Sequence, residues 1–167
     1  MASRSDAQPM PLLESPPSKL VTENKTAEAT IHTFVQAWGA AWSPKEKTAT
    51  FTKASFAPYY LQSERLLAFD YTDANTRTVI KGAKLHHQMW APFVQSFTYW
   101  SFTPRPQSIA IYALSAEGAV VALYVDMHGV KKDGTAFNGT AHATLALEKV
   151  DGQWKIAHEN IWGPIKE

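Results

Sequence analysis

The sequence predicts an α+β domain with helices segregated to one face of a curved antiparallel sheet, and three observations carry that prediction. Apolar residues recur at three- and four-residue spacings only before about residue 97. From Tyr99 onward the segments are strand-like, and Pro104-Arg105-Pro106, Glu117-Gly118, Asp133-Gly134 and Asp151-Gly152 punctuate them as hairpin turns do. With 167 residues, 45% of them hydrophobic and 12% aromatic, the chain is long enough for one core and too apolar for disorder.

Residues 1–24 contain Pro9, Pro11, Pro16 and Pro17 among polar residues and read as an extended tail, leaving a single domain over 25–167. Ile31, Phe34, Val35, Trp38 and Trp42 then line one face of a first helix starting near Thr26. Ser43-Pro44 is a cap followed by a proline suited to a first helical turn, so a second helix is expected over 43–52. Residues 65–72 alternate as a short strand, with Leu66, Ala68 and Asp70 on one face and Leu67, Phe69 and Tyr71 on the other. Gly82 leads a third helix over 83–97, in which Leu85, Met89, Trp90 and Phe93 fall at helical spacing and Pro92 should kink it.

Five strands complete the chain, over 99–103, 107–115, 119–130, 137–150 and the terminal stretch that Gly163-Pro164 stops. In the terminal strand Trp154, Ile156, His158, Asn160 and Trp162 share one face by simple alternation. Plain core would use Val or Ile at the polar positions, so this face is expected to floor a pocket. If the two hairpins at Asp133-Gly134 and Asp151-Gly152 have loops of equal length, Tyr124, Asp126 and His128 join it. Two-residue loops add Ala141, Ala143 and Leu145; three-residue loops add Thr140, His142 and Thr144.

Composition excludes several classes of function. Lys plus Arg is 16 against 15 for Asp plus Glu, which leaves no field to recruit nucleic acid or an acidic membrane. The absence of cysteine removes disulfides, thiolate nucleophiles and Cys-based zinc sites, and fits a cytoplasmic location. No secretory leader, membrane span, phosphate loop, Gly-x-Ser-x-Gly or His-x-x-x-His is visible. No metal or cofactor is therefore expected. His86-His87 is an adjacent pair whose side chains diverge by about 100 degrees on a helix, which points to the surface.

The order of elements, the strand Leu66-Leu67-Ala68-Phe69-Asp70-Tyr71, the Gly82-led helix and the closing Trp-x-Ile-x-His strand together resemble the nuclear transport factor 2-like superfamily. Ketosteroid isomerase, scytalone dehydratase and the SnoaL-like polyketide cyclases share that cone-shaped, cystatin-like roll. The resemblance covers about Thr26 to Pro164 and implies that Asp70 stands where ketosteroid isomerase carries its general base. Two departures count against steroid isomerisation itself. The first helix has no oxyanion-donating Tyr between Phe34 and Trp38, and the penultimate strand offers His142 or Thr144 where the isomerase has a protonated Asp.

Two classes of function follow. The leading one is a cofactor-free isomerase, cyclase or dehydratase that moves a proton beside the carbonyl of an apolar small molecule. Asp70 is the expected base, and His158 oriented by Asp126 the second acid or base. Tyr60 or Asn160 would donate to the developing oxyanion, and Trp90, Tyr124, His142 and Trp162 would line the ligand site. Asp70 and His158 are expected to share one void, where burial raises the carboxyl pKa. The other class is a non-catalytic ligand-binding or dimerising module. In both, apolar residues at both parities of residues 120–125 call for a homodimer through the outer sheet face.

Overall fold

The computed structural model describes residues 18–43, 53–71 and 78–165. Of the tail expected over 1–24, residues 1–17 lie outside the described residues and 18–24 are helical, a correction to that expectation; of the second helix expected over 43–52, all but Ser43 lies outside them. Helix α1 (Ser18–Trp42) starts earlier than its apolar periodicity announces. Ala27, Ile31, Val35, Trp38 and Trp42, spaced by four, four, three and four, make its buried stripe. A single turn, α2 (Lys53–Phe56), runs into a 3-10 turn at Ala57–Tyr59.

Strands β1 (Leu67–Tyr71) and β2 (Thr78–Lys81) form a hairpin, and β2 has no counterpart among the expected strands. Helix α3 (Ala83–Gln95) passes through Pro92 and ends three residues later, so the proline costs only the last turn. Strands β3 (Phe97–Pro104), β4 (Ala110–Ala113), β5 (Gly118–Lys131), β6 (Ala136–Val150) and β7 (Gln153–Ile165) follow. The terminal strand continues across Gly163-Pro164 rather than stopping there.

The sheet order is β2-β1-β7-β6-β5-β3, with β4 on the free part of the same β5 edge. All pairs are antiparallel except β1 with β7, so the sheet is mixed, a correction to the purely antiparallel expectation. The parallel pair aligns Asp70 with Ile161 and Ala68 with Glu159, which brings the ends of the first and last strands together.

One face of the sheet lies under α1 and α3. It presents Val121, Leu123 and Val125 from β5, Ala141, Ala143 and Leu145 from β6, and Trp100 and Phe102 from β3, all buried. Gly39 lets α1 approach the end of β3, since a Cβ there would meet Pro104 Cδ at 2.2 Å. The β6–β7 turn is the two-residue Asp151-Gly152, with φ of 50° and 75°, a conformation Asp tolerates and Gly takes freely.

A β-bulge decides which residues of β7 face the helices. Leu147 pairs with Ile156, but its neighbour Ala146 pairs with His158, so Ala157 is an extra residue. Trp154 and Ile156 are buried before the bulge; after it, Glu159 and Ile161 are. His158, Asn160 and Trp162 are thereby turned to the opposite face.

Candidate active site

Three ionisable side chains meet in the core: Asp70 from β1, His86 from α3 and Glu159 from β7. Asp70 is 3% exposed, and His86 and Glu159 are 0% exposed. His86 Nε2 is hydrogen-bonded to Glu159 Oε1 and lies 3.9 Å from Asp70 Oδ2. Each carboxylate has one oxygen held by a fixed donor. Trp90 Nε1 donates to Asp70 Oδ2 at 2.7 Å, and the Tyr60 hydroxyl donates to Glu159 Oε2 at 2.8 Å. Asp70 Oδ1 and His86 Nδ1 have no hydrogen-bond partner. Among the described residues no lysine or arginine is paired with either carboxylate.

Desolvation dominates the electrostatics of this cluster. Burial, and then the charge of Glu159, hold the Asp70 carboxyl well above its usual range, against weaker opposing pulls from His86 and Trp90. Burial raises Glu159 to about 7, with the Tyr60 hydroxyl pulling it down. The imidazole of His86 is pushed the other way by burial, to about 4. Near neutral pH the imidazole is neutral, and the two carboxyls are a coupled pair held toward their protonated forms. The three groups also offer three ligand atoms within 4.8 Å of one another, a set able to hold a cation. As they stand, the direct bond from His86 to Glu159 fills the space between two of the three with a proton.

A narrow apolar crevice lined by Trp90, Phe93, Met127, Phe137, Ala141 and Ile161 adjoins the cluster through Trp90, while none of the three ionisable residues lines it. Trp90 links the two, since it lines the crevice and its indole N–H donates to Asp70. Aromatic packing fixes the imidazole, with Tyr60 at 4.5 Å and Trp42 at 6.1 Å between ring centroids.

The expected partners of Asp70 are elsewhere. His158 lies on the outer sheet face, where its Nδ1–H donates to the Leu67 carbonyl at 2.9 Å and its ring meets Phe69. Asp70 and His158 do not share a void, because the bulge at Ala157 reverses the parity of β7. Asp126 is likewise on the outer face and is not oriented toward His158. Arg105 Nε bonds both its oxygens, at 2.8 and 3.0 Å, and Thr140 Oγ1 donates to it. Tyr124, His142, Asn160 and Trp162, expected to line the ligand site, stand on that same outer face. Tyr124, His142 and Trp162 are aligned in one row across three strands, and Trp162 is 64% exposed. These side chains share one face, without Trp154 and Ile156, and that face is the uncovered one.

Two functional candidates escape the sequence. Spacing alone leaves His86 at the surface because it assigns Leu85 and Met89 to the buried stripe, whereas the stripe is His86, Trp90 and Val94 at spacings of four. That spacing is the available signal. Glu159 has no signal, because the bulge that turns it inward is not written in alternation.

Comparison with known proteins agrees with this architecture. The family of SnoaL-like domains matches residues 31–161. Among curated proteins no match was found. A nuclear transport factor 2-like superfamily protein from Salmonella enterica superposes with a TM-score of 0.68 at 15% identity, over 86% of this chain and 94% of that one. A putative scytalone dehydratase from Novosphingobium aromaticivorans gives 0.69 at 15%, over 84% and 86%. A hexachlorocyclohexane dehydrochlorinase from Novosphingobium barchaimii gives 0.64 at 12%, over 85% and 89%. At such identities the likeness establishes the fold and not the chemistry. The chain belongs to the SnoaL-like domain family and has the cystatin-like nuclear transport factor 2 fold.

Proposed function

We propose that this protein is a cofactor-free acid-base catalyst acting on a neutral, largely apolar small molecule, with Asp70, His86 and Glu159 as its proton-transfer groups. The observation that carries the reading is the burial of two carboxyls and an imidazole together, with no described cation to pair them. Such a cluster costs stability in a core that apolar residues would fill at no loss, and it holds protonation states matched to proton transfer near neutral pH. Asp70, with Oδ1 unpaired, is the group that takes the proton. His86 and Glu159 return one to the product, and the proton left on Asp70 then passes to His86, 3.9 Å away, which restores the starting state without an external acid. The crevice supplies no charge, which suits an uncharged substrate, and Trp90 must turn aside for a substrate to reach Asp70. Isomerisation, cyclisation and elimination beside a carbonyl all need this proton inventory. Two of the solved relatives carry elimination chemistry in their names, a dehydratase and a dehydrochlorinase.

The test does not depend on which substrate is the natural one. A panel of neutral ketones and β-hydroxy carbonyl compounds is incubated with the protein in D2O, and exchange of the carbon-bound proton is followed by NMR. Exchange with at least one compound, lost in Asp70→Asn, supports the reading. Compounds that bind without exchange, and bind equally well to Asp70→Asn, make it a binding module.

The outer face supports a homodimer. Phe69 and Val79 join the Tyr124, His142 and Trp162 row as exposed or half-exposed apolar and ring-bearing groups, and no described helix covers them. Light scattering should give twice the chain mass, and Trp162→Glu should give the monomer.

A further inference from the structure

The Tyr60 hydroxyl stands at the centre of a set of hydrogen bonds whose directions are forced. Trp38 Nε1 and Trp42 Nε1 both point at Tyr60 Oη, at 2.9 and 3.2 Å. The two indoles sit four residues apart on α1, so one helical face delivers both one turn apart. An indole N–H can only donate. Tyr60 Oη therefore accepts from both, its lone pairs are used, and its single proton is left for Glu159 Oε2 at 2.8 Å. Oε2 must accept, and any proton Glu159 carries is confined to Oε1, the oxygen that faces His86 Nε2.

Resting on the reading of Glu159 as a proton-holding group, we infer that Tyr60, oriented by Trp38 and Trp42, is a positioning residue that confines any proton on Glu159 to Oε1, the edge shared with His86. Without it the carboxyl could turn its acidic O–H away from His86, toward α1, where no reaction is served. The titratable groups facing Glu159 are Tyr60 itself, Asp70 from β1 and His86 from α3, and each acts on it within this core. Burial and the charge of Glu159 keep the Tyr60 phenol protonated, so it remains a donor throughout the working range of pH.

The chain of bonds makes a readout that activity does not. In the full-length protein, the indole N–H resonances of Trp38 and Trp42, assigned with Trp38→Phe and Trp42→Phe, should shift with pH at the midpoint of the Glu159 carboxyl, although neither touches it. In Glu159→Gln that pH dependence should vanish. Tyr60→Phe should raise the Glu159 midpoint by about one pH unit, the scale of a lost hydrogen bond to a charged group. Should Tyr60→Phe fail to fold because two indole N–H groups lose their acceptor, Trp42→Phe keeps the test alive, with a smaller upward movement as the weakened hydroxyl donates less. Indole resonances indifferent to the Glu159 titration, or still titrating in Glu159→Gln, would overturn the inference. Because no substrate is used, that result leaves the catalytic reading standing, and an absence of turnover leaves this one standing.

Discussion

Carboxylates stand on opposite faces of one sheet, Asp126 on the outer face and Asp70 with Glu159 on the inner, and they behave in opposite ways. On the outer face Asp126 is bound by Arg105 and Thr140 with its side chain 31% exposed, and these donors hold its carboxyl below the usual range. On the inner face Asp70 and Glu159 have no described cation beside them, both are buried, and both are held above it. Sequence places an Asp on a strand in both cases. What differs is whether the charge is paired and solvated or buried and shared, and only the second arrangement leaves a carboxyl able to exchange a proton near neutral pH.

The largest expected effect is on turnover. Asp70→Asn keeps the shape and the Trp90 contact while removing the base, and should lower the exchange rate by about two to four powers of ten. Asp126→Asn should change it by less than about threefold, since its effect reaches no reacting group. Equal losses from the two substitutions would erase the comparison.

Next comes the dependence of stability on pH. Glu159, raised from 4.5 to about 7, contributes stability that is full below 4.5 and lost as pH rises through 7. His86, lowered from 6.5 to about 4, contributes stability that is present above 6.5 and lost as pH falls through 4. Between about 4.5 and 6.5 the two oppose each other; above 6.5 the His86 contribution levels off while the raised carboxyls, Glu159 with Asp70 beside it, still lose theirs. Unfolding free energy from urea titrations should therefore fall between about pH 6.5 and 8, and Glu159→Gln should blunt the fall. A steady rise over that interval would contradict a raised carboxyl.

The smallest effect belongs to the outer pair. Replacing Arg105 with Gln should cost about 1 kcal/mol or less, with a cost that shrinks at high salt, because exposed ion pairs are screened. Asp126 has a depressed pKa, so its contribution is present above the usual carboxylate range and disappears in acid, opposite in sign to Glu159.

How much of this is legible in the sequence varies with the physics involved. The order of helices and hairpins is, because turn chemistry and period are local. The burial of Asp70 beside Leu66 and Ala68 is, because β1 has no bulge. His86 is hidden by a helix register one residue off, in which Leu85 and Met89, 39% and 37% exposed, take the buried positions. Glu159 is hidden by the extra residue Ala157, which exchanges the faces of β7 and puts Glu159 on the inner face where alternation puts His158. The parallel pairing of β1 with β7 depends on long-range contacts that no local pattern announces. Sequence alternation thus finds one member of the cluster, and tertiary register supplies the other two.

The most direct test of the difference between the two faces is a titration of the side-chain carboxyl carbons by NMR with 13C-labelled Asp and Glu, assigned through Asp70→Asn, Asp126→Asn and Glu159→Gln. The account predicts that Glu159 changes ionisation near pH 7, that Asp70 also titrates well above a free carboxyl, and that Asp126 titrates below one. Asp70 and Glu159 both fully ionised by about pH 5, alongside Asp126, would contradict it.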